Sequence, residues 1–510
     1  MKGIISAGHP KTVEAAETIL KSGGNAFDAA LAALYTSCVV EPVLSSLGGG
    51  GFLLAKTQQE KIITYDFFTQ SPITKKPISE IDFYPIIANF GSDQQEFHIG
   101  LGSIATPGMV KGIFEIHRDL CQLPMNVITQ PAIEYAKKGV ILNKLQAYIF
   151  DIVKPIYTAT DSCRKNYSNN LYQLPKMGDC LTFPNLAETF EWLSKEGDQL
   201  FYQHDIAKMM VKDCQENGGY LKQQDLTNYQ VYKRPPLTIN YRNHHIYTNP
   251  PPSSGGILIA FALKLAEKID FSSMKFGSKS HLDLLAQIML LTNQARLDAP
   301  NAHHDLINIL DPKLLSDYIH KIKGRTAFHR GTTHINVIDR QGNIASLTSS
   351  NGEGCGSMLG NTGIMLNNML GEADLNPEGF HQWQPNQRLT SMMAPSYVKL
   401  SNNQQIALGS GGSNRIRTAI LQVLINIIDF NMDIQTAVKQ PRIHHENNLL
   451  SIETGFPQSS LDYLYSQYHQ HVLWPEQNLF FGGTHTLSKQ GDDFTGVGDA
   501  RRDGVFKLVD

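Results

Sequence analysis

The chain has 510 residues, of which 41% are hydrophobic and 18% are charged, and its formal net charge is −3. These proportions are typical of a folded globular protein and exclude a largely disordered chain. The small net charge gives no electrostatic reason to expect a nucleic acid or an anionic membrane as a partner. No apolar run approaches the ~20 residues that span a bilayer.

The first residues and the cysteines bear on the compartment and on cofactors. Residues 1–10 contain too short an apolar stretch for a signal peptide, so we expect a cytoplasmic protein, or a periplasmic one if the N-terminus is truncated. The six cysteines are widely spaced and form no C-x-x-C pair. This spacing predicts neither a disulfide framework nor a zinc site, and we expect no metal and no cofactor.

The first elements are predicted to be two helices followed by a strand. Apolar residues recur at helical spacing from about residue 12 to residue 41, and Gly-Gly-Asn at 23–25 interrupts them. A glycine run at 48–51 then leads into an apolar strand. Since no Lys-Ser/Thr pair follows these glycines, close backbone packing at a turn is favoured over a phosphate-binding loop.

The middle third is predicted to be mostly helical, for example at residues 131–138, 186–195 and 257–265. Its adjacent histidines, and a further pair near the C-terminus, lack the i,i+4 spacing that places metal ligands on one helix face. Surface or hydrogen-bonded histidines are therefore favoured. The pairs are at 244–245, 303–304 and 444–445.

In the last third, the sequence predicts a β-hairpin. Apolar residues mark one strand at 335–338 and a second at 344–347. The three-residue loop between them includes a glycine for its left-handed position. This loop length pairs Asp339 with Asn343, and that pairing fixes the register of the hairpin.

The register decides which residue faces Thr332. It places Thr332 directly opposite Ser350, with Cβ atoms ~5 Å apart on one face of the sheet. A threonine hydroxyl inside a chain is a weak nucleophile, but cleavage of the bond before it frees an α-amine that can serve as its general base. Ser350 would then orient the Thr332 hydroxyl. The alternative is two ordinary hydroxyls on an edge strand.

A second candidate element is a strand, a glycine turn and a helix. The apolar residues 406–408 lead into the Gly411-Gly412 pair, and the apolar positions from 416 to 427 follow helical spacing. Backbone N–H groups at such a turn, just before a helix N-terminus, favour negative charge and suit an oxyanion hole. The alternative is a plain helix cap at Ser413.

Taken together, these segments resemble the gamma-glutamyltransferase family of N-terminal-nucleophile hydrolases. The resemblance runs nearly from end to end of the chain, and its motifs follow the family's order. They are Gly24-Asn25-Ala26-Phe27-Asp28-Ala29-Ala30, Val40-Glu41-Pro42, Gly48 to Phe52, Thr106-Pro107-Gly108, Pro251-Pro252-Ser253-Ser254-Gly255-Gly256, Thr332-Thr333-His334, Leu366-Asn367-Asn368, Ser391-Met392, Gly411-Gly412-Ser413 and Pro441-Arg442-Ile443-His444-His445. No single motif is decisive, but their common order is.

The resemblance implies an α+β fold, a four-layer αββα sandwich, in a precursor that cleaves itself between Gly331 and Thr332. Residues 1–331 would form a helix-rich large subunit, and residues 332–510 would form a small subunit that carries the nucleophile. The two would stay intertwined as a heterodimer and together make one structural domain.

The resemblance also implies roles for single residues. Thr332 would be the nucleophile, and Ser350, in place of the family's second threonine, would be its hydroxyl partner. The Gly411-Gly412 pair matches the oxyanion hole. The Thr390-Ser391 pair matches the residues that hold the α-carboxylate end of the donor.

Three positions depart from the family pattern. Phe68 falls where the family has an arginine that grips the donor's α-carboxylate, and a phenyl ring cannot replace a bidentate cation. Gly352 replaces the family's asparagine, although Asn351 lies next to it. Of the acidic pair that binds the donor's α-amine, only Glu372 keeps a carboxylate at a matching position, with Asp374 nearby. We therefore expect Phe68, Asn351 and Glu372 to contribute to donor binding.

The resemblance implies an enzyme that cleaves gamma-glutamyl amides of the glutathione type through an acyl-enzyme. The acyl group would pass to water or to an amino acid or peptide acceptor. Loss of the arginine predicts weak or absent glutathione turnover. Two alternatives remain open, an acylase with a different amide donor, similar to cephalosporin acylases, and a catalytically silent homologue. A Ser-His-Asp hydrolase is not expected, because the sequence contains no G-x-S-x-G motif.

Overall fold

The computed structural model describes residues 1–89, 94–168, 173–299, 306–311, 332–376, 378–446 and 448–510, so Gly331 and the histidine pair 303–304 lie outside the described residues. The strands, in chain order, are β1 Gly3–Ala7, β2 Gly50–Lys56, β3 Ile62–Phe67, β4 Tyr84–Asn89, β5 Gln94–Ile99, β6 Val140–Ile141, β7 Cys180–Leu181, β8 Tyr232–Arg234, β9 Leu237–Tyr241, β10 His244–Thr248, β11 Thr333–Asp339, β12 Ile344–Ser350, β13 Ser396–Lys399, β14 Gln405–Gly409, β15 Ile443–Glu446, β16 Leu449–Glu453, β17 His471–Trp474, β18 His485–Gln490, β19 Asp493–Val497 and β20 Val505–Val509.

The α-helices of the described residues, in chain order, are α1 Pro10–Lys21, α2 Ala26–Val40, α3 Met109–Leu120, α4 Met125–Lys138, α5 Lys144–Ile152, α6 Lys154–Tyr157, α7 Asp161–Tyr167, α8 Pro184–Glu196, α9 Gln199–Tyr202, α10 Asp205–Glu216, α11 Gln223–Thr227, α12 Ser254–Ala266, α13 Lys279–Asp298, α14 Arg415–Ile428, α15 Ile434–Lys439 and α16 Gln458–Gln467. None of these helices is both long enough and apolar enough to cross a membrane.

The first two predicted helices are present, and Asn25 explains the break between them. α1 ends at Lys21 and α2 begins at Ala26. The Asn25 side chain accepts hydrogen bonds from the amides of Phe27 and Asp28, and the Asp28 carboxylate accepts one from the Asn25 amide. This capping box satisfies amide groups that a helix start leaves unpaired.

One predicted boundary in the middle third is wrong. α4 begins at Met125 rather than at residue 131, and Pro131 lies inside it. A proline removes one backbone hydrogen bond and usually marks a helix start. Here buried apolar side chains on both sides of it, including Ile128, Ala132 and Ile133, hold the helix against the core.

Two antiparallel sheets form the centre of the molecule. One has seven strands in the order β20-β1-β11-β12-β2-β3-β8, and the other has six in the order β19-β18-β14-β13-β10-β9. They pack face to face through a cluster of apolar side chains. Its buried members are Ile4, Leu54, Ile338, Ile344, Tyr397, Ala407 and Leu487.

Helices cover the outer face of each sheet. α1 and α2 lie on the seven-stranded sheet, where Ile335 and Val337 share one core with helix residues such as Leu31. α12 and α14 lie on the six-stranded sheet, and a second core there includes Val398 and Ile406. The layers therefore follow the order helix, sheet, sheet, helix, and the predicted αββα sandwich is confirmed.

The predicted hairpin register is also confirmed. β11 pairs with β12 so that Thr333 lies opposite Ser349, and Gly342 in the loop adopts a left-handed φ of +84°. Continued by one residue, the same register places Thr332 opposite Ser350.

Both central sheets combine strands from the two sides of residue 331. In the seven-stranded sheet, β1, β2, β3 and β8 precede that residue, and β11, β12 and β20 follow it. In the six-stranded sheet, β9 and β10 precede it. β1 lies between β11 and β20 and pairs with both. The ranges 1–331 and 332–510 therefore share the same pair of sheets.

Candidate active site

The two faces of the hairpin carry different groups. Side chains alternate along a strand, so Thr332 lies on the same face as His334 and Ile338, toward the space between the two sheets. Thr333 lies on the other face, where its hydroxyl donates to the Glu41 carboxylate at 3.2 Å. Of these two adjacent threonines, Thr332 is therefore the one that reaches the space between the sheets.

Thr332 lines a narrow cavity together with Phe68, Ser350, Glu372 and Ser391, all of which the sequence predicts as site residues. The remaining lining residues are Met369, Asp374, Leu375, Met392, Met393, Ser413 and Ile416. Larger cavities among the described residues, such as one of about 920 Å³ beside α7 and α8, contain none of the predicted site residues. The cavity that contains Thr332 is therefore the candidate active site.

This cavity must widen before a donor can enter. Its volume is about 30 Å³, which is room for about one or two waters. Three methionines form part of the wall, at positions 369, 392 and 393. Methionine side chains are unbranched and flexible, so the wall can adapt to a ligand by rotamer changes.

Groups that are distant in sequence hold the backbone of Thr332. Thr332 is 4% exposed, and its carbonyl oxygen accepts a hydrogen bond from the Arg502 guanidinium at 3.2 Å. Gly411 lies directly against it, because a Cβ atom at position 411 would come within 2.2 Å of the Thr332 carbonyl oxygen. Gly412 has a φ of +120°, which favours glycine. The glycine turn thus approaches the predicted nucleophile as closely as its lack of side chains allows.

Buried charges surround the Thr332-Thr333 backbone. Burial lowers the pKa of Arg502 to about 10, although nearby Glu353, Asp499 and Glu41 act to raise it. Burial raises the pKa of Glu41 to about 7, against the hydrogen bond from Thr333 and the charge of Arg502. Arg502 is therefore cationic at neutral pH, whereas Glu41 titrates there.

His334 has a structural role in this region. Burial, together with nearby His485, lowers the pKa of His334 to about 3, so its ring is neutral at physiological pH. Its Nδ1 atom lies 2.8 Å from the Thr348 hydroxyl. The ring fills the space above Gly409, where a Cβ atom would meet it at 2.2 Å. His334 thus packs β11 against β14.

The rest of the cavity wall is apolar and acidic. Phe68 follows β3 and stacks on Phe52, with ring centroids 5.5 Å apart. The Asp374 carboxylate accepts a hydrogen bond from the Ser413 hydroxyl at 2.6 Å. The interpretation of Ser413 as a plain helix cap is wrong, because the residue that caps α14 is Asn414.

Arg388 does not replace the missing donor-binding cation. Its guanidinium donates to the carbonyl oxygens of Phe68 and Gln230 and to the Tyr229 hydroxyl. It also forms a salt bridge with Asp66, with 3.3 Å between Nε and Oδ1. The ring of Tyr229 lies 4.6 Å from its Cζ. Protein groups therefore occupy this buried arginine, and it is not among the residues that line the cavity.

Two predicted donor-binding residues lie beside the cavity rather than in its wall. The Thr390 hydroxyl donates to the Pro252 carbonyl oxygen at 3.0 Å and lies 2.6 Å from the Ser254 hydroxyl. The Asn351 amide donates to the Met365 carbonyl oxygen at 3.4 Å. In this conformation both side chains stabilise the loops that carry the lining residues.

Comparison with known proteins agrees with this geometry. A sequence profile of the gamma-glutamyltranspeptidase family matches residues 12–509. The chain belongs to the gamma-glutamyltranspeptidase family. It is 31% identical over 516 residues to the capsule biosynthesis protein CapD proenzyme of Bacillus anthracis, covering 99% of this chain and 90% of that protein. It is 30% identical over 502 residues to the glutathione hydrolase proenzyme of Escherichia coli strain K12, covering 91% of this chain and 84% of that protein.

A solved structure agrees in fold. The cephalosporin acylase from Bacillus halodurans superposes with a TM-score of 0.85 and covers 99% of this chain and 95% of its own, at 22% identity. At that identity the likeness establishes the fold alone. Membership of the gamma-glutamyltranspeptidase family rests on the sequence matches, and it makes this chain an enzyme of the N-terminal-nucleophile type.

The departure at Gly352 from the gamma-glutamyltranspeptidase pattern has a structural cause. Gly352 has a φ of +64°, and a Cβ atom there would come within 2.3 Å of a Glu372 carboxylate oxygen and 2.2 Å of the Asn368 side-chain oxygen. The Glu372 carboxylate thus occupies the space that a side chain at position 352 would need. The change at 352 and the placement of Glu372 are one coupled alteration.

Two groups beside the nucleophile were missed as neighbours by reasoning from the sequence. Arg502 contacts Thr332 across 170 positions of the chain, and nothing in the C-terminal sequence marks it. Glu41 belongs to one of the family motifs, but its bond to Thr333 follows only from the packing of α2 against β11.

Proposed function

We propose that Thr332 is the nucleophile of an autoprocessing amide hydrolase and acyltransferase. The observation that carries this proposal is the convergence on Thr332 of the hairpin register, which brings Ser350 opposite it, and of Gly411, which packs against its carbonyl oxygen. The cavity that Thr332 lines also holds Phe68 and Glu372.

Processing comes first in this proposal. The Thr332 hydroxyl attacks the carbonyl carbon of Gly331, the acyl group moves from nitrogen to oxygen, and water hydrolyses the resulting ester. The products are residues 1–331 and 332–510, which, prorated by length from 56.7 kDa, have masses of about 37 and 20 kDa. Because both sheets combine strands from the two products, these stay together as a heterodimer of a large and a small subunit.

Catalysis then uses the freed α-amine. An α-amine has a pKa of ~8 in water, and the positive charge of Arg502 on the carbonyl of the same residue disfavours the protonated form. The neutral amine takes the hydroxyl proton while Oγ of Thr332 attacks the donor amide, and it returns the proton to the leaving amine. Ser350 orients the hydroxyl. The acyl group then passes to water or to an amino acid or peptide acceptor.

The oxyanion of each tetrahedral intermediate needs preorganised donors. We assign these to the backbone of Gly411 and Gly412, whose turn lies against Thr332. One such donor is worth ~10²–10³ in rate.

The first candidate donor is a gamma-glutamyl amide, since the E. coli relative is named a glutathione hydrolase. In this assignment Ser391, supported by Thr390, holds the carboxylate end of the donor, and Glu372 holds its amine, with Asn351 positioning the loop. The stacked ring of Phe68 in the wall favours a second candidate, an acylase that acts on a different amide.

Acyl p-nitroanilides test this function directly. We expect the processed wild-type protein to release p-nitroaniline from at least one of a panel of gamma-glutamyl and other acyl anilides, and Thr332→Ala to release none. Fully processed protein that cleaves no member of the panel would overturn the proposed function.

A further inference from the structure

The ionisable side chains that line the Thr332 cavity all carry the same sign. Among the described lining residues, Glu372 and Asp374 are acidic, and lysine, arginine and histidine are absent. Both acidic residues are buried, with exposed fractions of 1% and 7%. Charges in a buried cavity are weakly screened, so such a wall attracts a cation and penalises an anion.

Buried arginines beside the cavity do not reverse this balance. Arg417 lies within electrostatic reach of Asp374, but its guanidinium forms a salt bridge with Glu446 at 3.2 Å. Arg502 is bound to the backbone of Thr332, at the nucleophile and away from the acidic residues in the chain. Neither arginine is among the residues that line the cavity.

Arg388 is the cation that follows the Phe68 wall most closely, and it is occupied by Asp66, Tyr229 and backbone oxygens. The remaining wall is apolar, with Phe68 stacked on Phe52. A carboxylate placed against this wall would lose its water without gaining a charged partner, which is strongly unfavourable.

We propose that the natural acyl donor carries an ammonium group, which pairs with Glu372 and Asp374, and lacks the carboxylate of a gamma-glutamyl group. Its carbon chain lies against Phe68, and its amide carbonyl lies at Thr332. This inference names the substrate class of the hydrolase proposed above and rests on that function.

Three p-nitroanilides of equal chain length separate the two charges. The gamma-glutamyl donor carries the amine and the carboxylate, the 4-aminobutyryl donor is the same chain without the carboxylate, and the glutaryl donor is the same chain without the amine. We expect kcat/KM for the 4-aminobutyryl donor to exceed that for the gamma-glutamyl donor by at least about tenfold, the effect of one charge-assisted contact. The glutaryl donor should be the poorest. Release without enzyme is subtracted for each donor.

Variants assign the preference to single side chains. Glu372→Gln should lower kcat/KM for the 4-aminobutyryl donor at least about tenfold and leave the glutaryl value unchanged or higher. The matched control is Glu378→Gln, an exposed carboxylate of the same segment, which should change none of the three values.

The outcomes distinguish the inference from the function on which it rests. A wild-type preference for the gamma-glutamyl or glutaryl donor would overturn the inference and leave the proposed hydrolase in place. An unchanged donor order in a folded, processed Glu372→Gln protein would also overturn it. Release from none of the three donors by fully processed protein would contradict the function and the inference together.

Discussion

The two sides of the Thr332 cavity are held in place by different means. On the nucleophile side, the backbone decides the positions, since the hairpin register brings Ser350 to Thr332 and Gly411 reaches it by having no side chain. On the donor side, side chains such as Phe68 and Glu372 form the wall. Backbone geometry is difficult to change without losing the fold, whereas a wall of side chains can change one residue at a time. A family fold can therefore keep its reaction and alter its donor.

A side chain at Gly411 breaks the nucleophile side most severely. In Gly411→Ala, the new Cβ would lie within 2.2 Å of the Thr332 carbonyl oxygen, so the nucleophile or the turn must move. We expect kcat to fall by ~10²–10³, the effect of losing one oxyanion donor. The measurement is steady-state release of p-nitroaniline, with the melting temperature as a check of folding. A folded variant with wild-type kcat would separate this turn from the reaction.

The donor side is sharpened by restoring the missing cation. Phe68→Arg should raise kcat/KM for a gamma-glutamyl p-nitroanilide by about tenfold to a hundredfold, because a charge-assisted contact contributes ~1.5–3 kcal/mol. The matched control is Phe68→Leu, which opens the wall without adding charge and should give no rise. If both variants fold and neither gains activity, carboxylate binding does not depend on position 68.

The partner hydroxyl tests the register at single-residue resolution. Ser350→Ala should lower kcat about tenfold, since one orienting hydrogen bond to the nucleophile is lost. Ser349→Ala is the control, because Ser349 is the next residue on β12 but faces the helices, 3.4 Å from the Ser45 hydroxyl. Equal losses in the two variants would mean that the hairpin face does not select the catalytic hydroxyl.

Stability against pH tests the buried charges behind the nucleophile. Burial raises the pKa of Glu41 from 4.5 to about 7, so the folded protein binds one proton more than the unfolded chain between these values. The free energy of unfolding should therefore fall as pH rises from about 4.5 to 7, by on the order of 3 kcal/mol, and stay level above.

Glu41→Gln isolates that contribution. Measured in the uncut Thr332→Ala background at pH 5 and pH 8, the Gln variant should lose less stability over this interval than its Glu41 parent. Parallel profiles for the two proteins would contradict the raised pKa.

The sequence predicted the backbone side of the cavity better than the side-chain side, for a physical reason. A hairpin register takes whole-residue values and is set by apolar alternation and loop length, so the facing of Thr332 and Ser350 follows from local sequence. The contact of Arg502 with Thr332 spans 170 positions and depends on how the C-terminal strand packs. The orientation of Thr390 toward Ser254 and the coupling of Gly352 to Glu372 are likewise tertiary.

The most direct test of Thr332 as the self-cleaving nucleophile is the intact mass of the purified protein and of Thr332→Ala. We expect the wild type to give two subunits of about 37 and 20 kDa, with Thr332 as the first residue of the smaller one. We expect Thr332→Ala to give one uncut chain of 56.7 kDa, apart from the mass of the substitution. A wild type that stays uncut, or a Thr332→Ala protein that is cleaved at the same bond, would contradict the account.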